Sequence, residues 1–210
     1  MPAKNLFKRN TLLEAAFKIV RTKGWERLSA RSLAKELECS TMPIYSYIKS
    51  MKRLEKELGK KAINLLLAYQ TTKRTDQAFF DMGLGYVLFA KQEKNLFRFL
   101  FGRGTRGGKY WNKRSILKEI AFRTLIQKMM GDPIFEGFDE EGLNNILTKM
   151  WIFVHGLGVL INNNAFASAS DDDLQTLLKE TGRFIIEGEK SKNEMDKNLS
   201  KKNGHPFLKD

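Results

Sequence analysis

The chain has 210 residues, a length typical of one or two domains. Its 42% apolar and 29% charged residues are enough for a packed core, so a wholly disordered chain is excluded. The longest apolar run, residues 151–161, is too short to cross a bilayer, and a single cysteine, Cys39, excludes an internal disulfide. Amphipathic sequence follows the basic start, so we expect no secretory signal. We also expect a reduced, cytoplasmic protein that holds no metal or cofactor.

The net charge of +13 is concentrated near the start of the chain. Residues 1–60 contain 14 basic and 6 acidic side chains, whereas residues 61–187 contain 17 and 14. A basic segment of this kind attracts polyanions such as nucleic acid, or an anionic membrane surface. Charged runs are also common on ordinary solvated surfaces. The charge alone therefore does not decide between such a surface and one that binds a polyanion or a membrane.

Apolar residues recur at helical spacing along almost the whole chain, and no pair of strands is predicted. In chain order, the pattern predicts helices at residues 11–23, 29–37, 40–48, 51–70, 76–92, 95–101, 111–130, 140–163 and 171–187. Ser29 and Ser40 suit the N-cap positions of the second and third helices. We therefore expect an all-α fold of about nine helices, followed by a mobile polar tail at residues 189–210.

The first three helices have the order and size of a helix-turn-helix unit. The inner face of its second and third helices is apolar and consists of Leu33, Ala34, Leu37, Ile44 and Ile48. The third helix presents an uncharged outer surface, formed by Thr41, Met42, Pro43, Ser46 and Tyr47. Basic residues flank this surface: Arg31, Lys35, Lys49, Lys52 and Arg53. Such a division suits duplex DNA, with phosphates held at the edges and bases met at the centre.

Residues 11–58 resemble the N-terminal DNA-binding domain of TetR-family transcriptional regulators. The matching features are a first helix that ends at Gly24, the Leu33-Ala34 pair, Ser40, Ile44-Tyr45, Tyr47-Ile48 and Ser50. A short Trp-x-x-x-His-Gly stretch at residues 151–156 is similar to a motif of one C-terminal subgroup of the family. The resemblance implies a DNA-binding domain at residues 1–50 and a helical regulatory and dimerisation domain at 51–188, with the helix at 51–70 as connector.

The resemblance also implies roles for individual side chains. Ser29, Ser40, Tyr45 and Tyr47 occupy positions that contact phosphates, and Thr41 and Met42 occupy positions that meet bases. Neither of the latter two side chains offers a bidentate donor for guanine, so we expect a preference for thymine methyl groups. The alternative is that Met42 only packs against the second helix.

Three positions depart from the family pattern. Glu38 replaces the usual turn glycine, so a residue that needs a positive φ would carry a Cβ. Met42 replaces a small glycine and brings bulk toward the groove. Met51 replaces a phosphate-contacting lysine, for which Lys49, Lys52 and Arg53 are near enough to substitute.

The second domain contains candidates for an apolar ligand cavity, although aromatic residues at helical spacing are more often core. They are Phe79, Met82, Phe89, Phe97, Phe101, Trp111, Phe122, Met129, Trp151 and His155. The resemblance implies that the last two helices pair with their copies in a homodimer, and the candidate interface residues are Gly156, Leu174, Leu177, Leu178, Phe184 and Ile185. Two-fold symmetry would then set the recognition helices about 34–36 Å apart, to match a palindromic operator.

We therefore expect a homodimeric DNA-binding regulator, a repressor that a small apolar or amphipathic ligand releases from DNA. The alternative is a basic helical protein that binds nucleic acid non-specifically, or another partner, without a ligand response. An enzyme is a third class. However, the glycine-rich residues 102–107 follow no predicted strand, and His155 has no nucleophile or carboxylate one turn away. We expect no catalytic residue, and a hydrogen-bonded core histidine at position 155.

Overall fold

The computed structural model of the chain describes residues 9–47, 51–102, 116–166 and 169–203. Within these ranges the fold is all-α, with nine α-helices and no strand, as predicted. The helices are α1 (Arg9–Lys23), α2 (Ala30–Glu36), α3 (Thr41–Tyr47), α4 (Met51–Thr71), α5 (Ala78–Gln92), α6 (Lys94–Phe101), α7 (Ile116–Met130), α8 (Glu140–Asn162) and α9 (Asp171–Asn203). Short 3₁₀ turns at Trp25–Arg27 and Pro133–Phe135 precede α2 and α8.

The three N-terminal helices pack around a small apolar core, in which Leu33 and Ile44 are completely buried. Ser29 begins α2 with a reciprocal cap. Its hydroxyl accepts a hydrogen bond from the backbone N–H of Ser32 at 3.1 Å, and the Ser32 hydroxyl accepts one from the N–H of Ser29 at 2.8 Å. The N-cap predicted at Ser29 is therefore confirmed.

The turn between α2 and α3 places Glu38 in the left-handed region, at φ 51°. The N–H of Cys39 donates to the carbonyl of Ala34 at 2.9 Å, and the N–H of Glu38 donates to that of Lys35 at 3.3 Å. These two bonds define a Schellman motif, whose left-handed position is usually glycine. The positive φ predicted for Glu38 is confirmed, and its Cβ raises the energy of the turn by about 1 kcal/mol relative to glycine.

The helices from α4 onward form a bundle with α5 at its centre, in contact with α4, α6, α7, α8 and α9. Near its end, α4 approaches α5 so closely that a Cβ on Gly85 would lie 2.2 Å from the carbonyl oxygen of Tyr69. Only glycine permits this approach. α4 also packs against α1, and one continuous apolar core extends from Leu12 in α1 to Ile186 in α9.

The last helix is longer than predicted, because α9 continues to Asn203 instead of ending near residue 187. Glu189 is only 1% exposed, and its carboxylate accepts hydrogen bonds from Lys149 and, at 3.1 Å, from Asn145 of α8. Residues 189–203, predicted to form a mobile tail, are therefore helical in the structure, and polar contacts with α8 hold the start of this segment at Glu189. Residues 204–210 lie outside the described ranges.

Candidate nucleic-acid interface and inner cavity

The outer surface of α3 exposes two large side chains beside a buried one. Met42 is 81% exposed and Tyr45 is 67% exposed, whereas Ile44 between them has no exposed surface. Ser40 is exposed, and Thr41 and Pro43 are half-buried on the same short helix. Met42 is thus directed to solvent, which contradicts the alternative that it packs against α2.

Cationic side chains precede α3 in the chain and follow it. Arg31 and Lys35 of α2, and Lys52 at the start of α4, are exposed. Arg53 is exposed as well, with its Nε 3.5 Å from an oxygen of Glu57. Of the other predicted contacts, Ser46 and Tyr47 belong to α3, and Lys49 lies outside the described residues.

Ser29 has the structural role predicted for it, as the N-cap of α2. Its hydroxyl is engaged in the α2 cap while the residue stays exposed. α2 is also fixed to α1 by an ion pair between Lys18 and Glu36, 2.7 Å apart. The hydrogen bond between them raises the pKa of Lys18 and lowers the pKa of Glu36. The cap at Ser29 therefore stabilises the start of α2, and the ion pair at Glu36 connects the end of α2 to α1.

Four of the predicted cavity residues meet inside the bundle. Phe79, Met82, Phe122 and Trp151 line an apolar space between α4, α5, α7 and α8, which we call the inner cavity. Its free volume is about 20 Å³, close to the space of one water molecule and far below the 300–1,000 Å³ of a typical ligand pocket. The inner cavity as the structure has it therefore has no room for a small organic ligand.

The remaining candidates have different surroundings. Phe89 and Met129 have no accessible surface and do not line the inner cavity, so in this structure they are part of the core packing. Phe97, Phe101 and His155 do not line the inner cavity. They form an aromatic cluster with Tyr86, in which the Phe97 and Phe101 ring centroids lie 5.0 Å apart. Trp111 lies outside the described residues.

His155 is hydrogen-bonded, as predicted, although it is half-buried where a core position was expected. Its Nδ1 lies 2.8 Å from the hydroxyl of Tyr86, and its ring stacks on Trp151 with centroids 5.4 Å apart. Burial lowers the pKa of His155. Burial also raises the pKa of Tyr86 well above its ordinary value, and a hydrogen bond with the Trp151 side chain opposes that rise. Both shifts favour the uncharged forms of the two side chains near pH 7.

Two features of the helical bundle were missed by sequence reasoning. The first is an outer groove of about 650 Å³, which Phe79, Phe80, Met150, Leu178 and Arg183 line together with residues of the 3₁₀ turn before α8. The second is Gln70, which is 8% exposed and lines the inner cavity. The sequence predicts Phe79 as a cavity residue, but no pattern indicates a groove between α5, α8 and α9. Gln70 falls at the polar end of an amphipathic helix, where no pattern indicates a cavity residue.

The predicted dimer residues separate into two groups. Leu174 and Leu178 are 5% and 1% exposed inside the chain's own core, so their prediction as interface residues is wrong. Phe184 is 63% exposed, Gly156 is exposed, and Leu177 and Ile185 are half-buried. α8 and α9 together present an exposed apolar set of Ile152, Gly156, Val159, Leu160 and Phe184. These residues, unlike the two leucines, are accessible to a second molecule.

A scan of the chain against protein-family models gave no match, and neither did a search of curated proteins. No helix in the described ranges is long and apolar enough to cross a membrane. The same residues contain no cluster of three or more histidine, cysteine, aspartate or glutamate side chains suited to a metal ion.

Proposed function

We propose that the chain is a cytoplasmic transcriptional regulator of the TetR type, which binds a palindromic DNA operator as a homodimer and has no enzymatic role. The observation that carries the proposal is the surface of α3. Met42 and Tyr45 expose most of their surface to water, whereas Ile44 between them is packed in the core. Large apolar side chains left exposed in this way commonly mark a binding surface.

The chemistry of this surface favours duplex DNA over a protein partner. Exposed cations at Arg31, Lys35 and Lys52 flank an uncharged centre, as in proteins that hold phosphates at the edges and contact bases in between. Met42 and the methyl group of Thr41 suit apolar contact with thymine methyl groups in the major groove.

A second copy of the chain would cover the exposed apolar set on α8 and α9. Ile152 and Phe184 are each at least 60% exposed, and burial of such residues is the main driving force for association. A two-fold dimer through these helices would present two α3 surfaces, and half-sites about one helical turn apart would then fit both.

In the proposed mechanism, the operator-bound and released states are two arrangements of the dimer. α4 joins the DNA-binding helices to the bundle and packs against both, so it is the element that would transmit a change. A ligand that binds the bundle better in the released arrangement would lower operator affinity in proportion to that preference.

The proposal is tested by selecting duplexes bound by the full chain from a random pool. We expect an inverted repeat whose half-sites are about 10 base pairs apart from centre to centre, with T-rich positions under Met42 and Thr41. Recovery without any consensus would instead support a basic helical protein that binds nucleic acid non-specifically.

A further inference from the structure

The outer groove has the size of a ligand site and a floor that belongs to the core. It lies between the start of α5, the 3₁₀ turn before α8, and α9, and its volume of about 650 Å³ falls within the 300–1,000 Å³ of typical ligand pockets. The apolar side chains that form its floor are at most 6% exposed: Phe79, Phe80, Met150, Leu178 and Ile186. Because core packing fixes these side chains, the groove is already formed, unlike the inner cavity.

One position on the floor holds no side chain. Gly182 in α9 is buried, and a Cβ there would lie 3.6 Å from Cε1 of Phe79, which is an ordinary contact. Packing therefore does not require glycine, although glycine inside a helix is unfavourable relative to alanine. Its effect is to leave the floor open beside Phe79, where an apolar chain can lie.

Three cations follow the floor along one face of α9. Lys179, Arg183 and Lys190 are all exposed and line the groove. At about 100° per residue, their spacing places them within about 40° of one another around the helix. Lys179 Nζ lies 5.0 Å from the centroid of the Phe80 ring, so its charge is close to the floor. Within the described ranges neither lysine forms an ion pair.

Arg183, the middle cation of this row, has only weak contacts. Its Nε lies 3.9 Å from a carboxylate oxygen of Glu187, and its guanidinium carbon lies 5.4 Å from the centroid of the exposed Phe184 ring. Exposed contacts of this kind contribute little to stability. The guanidinium can therefore exchange them for a ligand carboxylate, which it binds with two parallel hydrogen bonds.

Carboxylates also border the groove, but those of α9 lie farther from the floor. Around the axis of α9 the order is the floor residues, then the three cations, then Glu187 and Glu180. On the other wall, Asp132 caps the 3₁₀ turn by accepting a backbone hydrogen bond at 3.1 Å, and Asp76 is paired with Lys73 at 2.9 Å. A ligand on the floor therefore meets positive charge first.

We propose that the outer groove is a binding site for a single-chain amphipathic carboxylate, such as a fatty acid. Its apolar chain lies on the floor along Phe79 and Phe80, and its carboxylate pairs with Arg183. A single negative charge suits the site better than a phosphate head group, because Glu187 beside Arg183 repels a dianion more strongly. The inference goes beyond the proposed regulator, since it requires no DNA and no ligand response.

The test compares three probes of equal chain length on the full chain without DNA, below micelle-forming concentrations. Decanoate is negative, decan-1-ol is neutral and decylammonium is positive. Titration calorimetry should give a dissociation constant about 10-fold lower for decanoate than for decan-1-ol, with decylammonium weakest. Equal binding of decanoate and decan-1-ol, or no saturable binding of decanoate, would overturn the inference.

Arg183→Gln separates the cation row from the net charge of the protein. The variant should weaken decanoate binding about 10-fold and leave decan-1-ol binding unchanged. The matched control Arg123→Gln removes the same charge from α7, where the side chain is 73% exposed, and should bind decanoate like wild type. An equal loss in both variants would show a general attraction to a basic protein and would contradict the site.

Gly182→Leu tests the floor, because its side chain would occupy the space beside Phe79. This variant should weaken the binding of decanoate and of decan-1-ol alike, by about 10-fold. The matched control Gly188→Leu, on the same helix, has open space around its Cβ position and should leave both affinities unchanged. Wild-type affinity in Gly182→Leu would contradict the placement of the chain. If that variant failed to fold, the comparison of Arg183→Gln with Arg123→Gln would still decide.

Discussion

Arg21 of α1 and Glu93, between α5 and α6, form a bidentate ion pair that joins the N-terminal helices to the bundle. Arg21 Nε lies 2.8 Å from Glu93 Oε2, and a second guanidinium nitrogen contacts the other oxygen. The Glu93 side chain is 5% exposed and that of Arg21 is 49% exposed. The Tyr69 hydroxyl lies 3.2 Å from the same carboxylate. A nearly buried charge therefore depends on a residue of the proposed DNA-binding unit.

Arg21→Met should lower the free energy of unfolding by about 2 kcal/mol, because Glu93 would remain buried without its guanidinium. Urea denaturation at pH 7 measures this. The control Arg123→Met removes an exposed pair with Glu119, which lies 3.3 Å away, and should change stability by less than about 0.5 kcal/mol. Equal losses in the two variants would show that the Arg21 pair contributes no more than a surface contact.

Glu38→Gly should stabilise the protein by about 1 kcal/mol, because glycine adopts the φ of 51° without a Cβ clash. For a chain of this size the melting temperature would rise by about 2–4 °C. Glu38→Ala keeps the Cβ and removes the carboxylate, so it should give no such gain. A gain from alanine as large as that from glycine would point to charge in place of backbone strain.

Glu189 should make stability depend on pH at acid values. The hydrogen bond from Lys149 lowers the pKa of Glu189 below its ordinary value of 4.5, although burial opposes this effect. The folded state binds this proton more weakly than the unfolded state, so the stabilisation is complete above the ordinary pKa and disappears as the pH falls through the lowered one. Glu189→Gln should therefore be less stable than wild type at pH 7.

The difference in stability between wild type and Glu189→Gln should shrink steadily below pH 4.5, as followed by thermal denaturation. Glu187→Gln is the matched control, since Glu187 is exposed and its nearest cation, Arg183, lies 3.9 Å away. A difference that stays constant with pH would contradict an ionic role for Glu189.

Phe184→Asp should convert the protein to monomers without unfolding it, because Phe184 is 63% exposed within a single chain and would be covered by the second copy. Light scattering after size exclusion should give a mass near 24.2 kDa for the variant and about twice that for wild type. Ile120→Asp, at a 53% exposed position on α7, should remain dimeric. A wild-type protein that is itself monomeric would contradict the proposed dimer.

Lys52→Gln should weaken binding to all duplexes by a similar factor and reduce the slope of log affinity against log salt by about 0.9. Met42→Ala should leave that slope unchanged and relax the preference at the base pairs under α3. Fluorescence anisotropy at several salt concentrations separates the two effects. If Lys52→Gln altered the consensus and Met42→Ala altered the salt slope, the assignment of phosphate and base contacts would be reversed.

Local patterns in the sequence were sufficient for most of the helices and for the turn at Glu38, because helix periodicity and the position of a turn are properties of adjacent residues. The local patterns gave wrong predictions where contacts with residues far away in the chain determine the structure. Glu189 of α9 contacts Asn145 and Lys149 of α8, and nothing within residues 188–203 signals these contacts. Leu178 and Phe184 are both apolar residues of one amphipathic helix, and only the packing of α5 and α8 determines which is covered.

The central claim, that paired α3 helices read a DNA sequence, is tested most directly by competition at fixed salt. Binding of the full chain to the selected inverted repeat should exceed binding to a scrambled duplex of the same composition by at least about 1,000-fold. A single half-site should bind far more weakly than the full repeat. A ratio near one between the repeat and the scrambled duplex would contradict the claim.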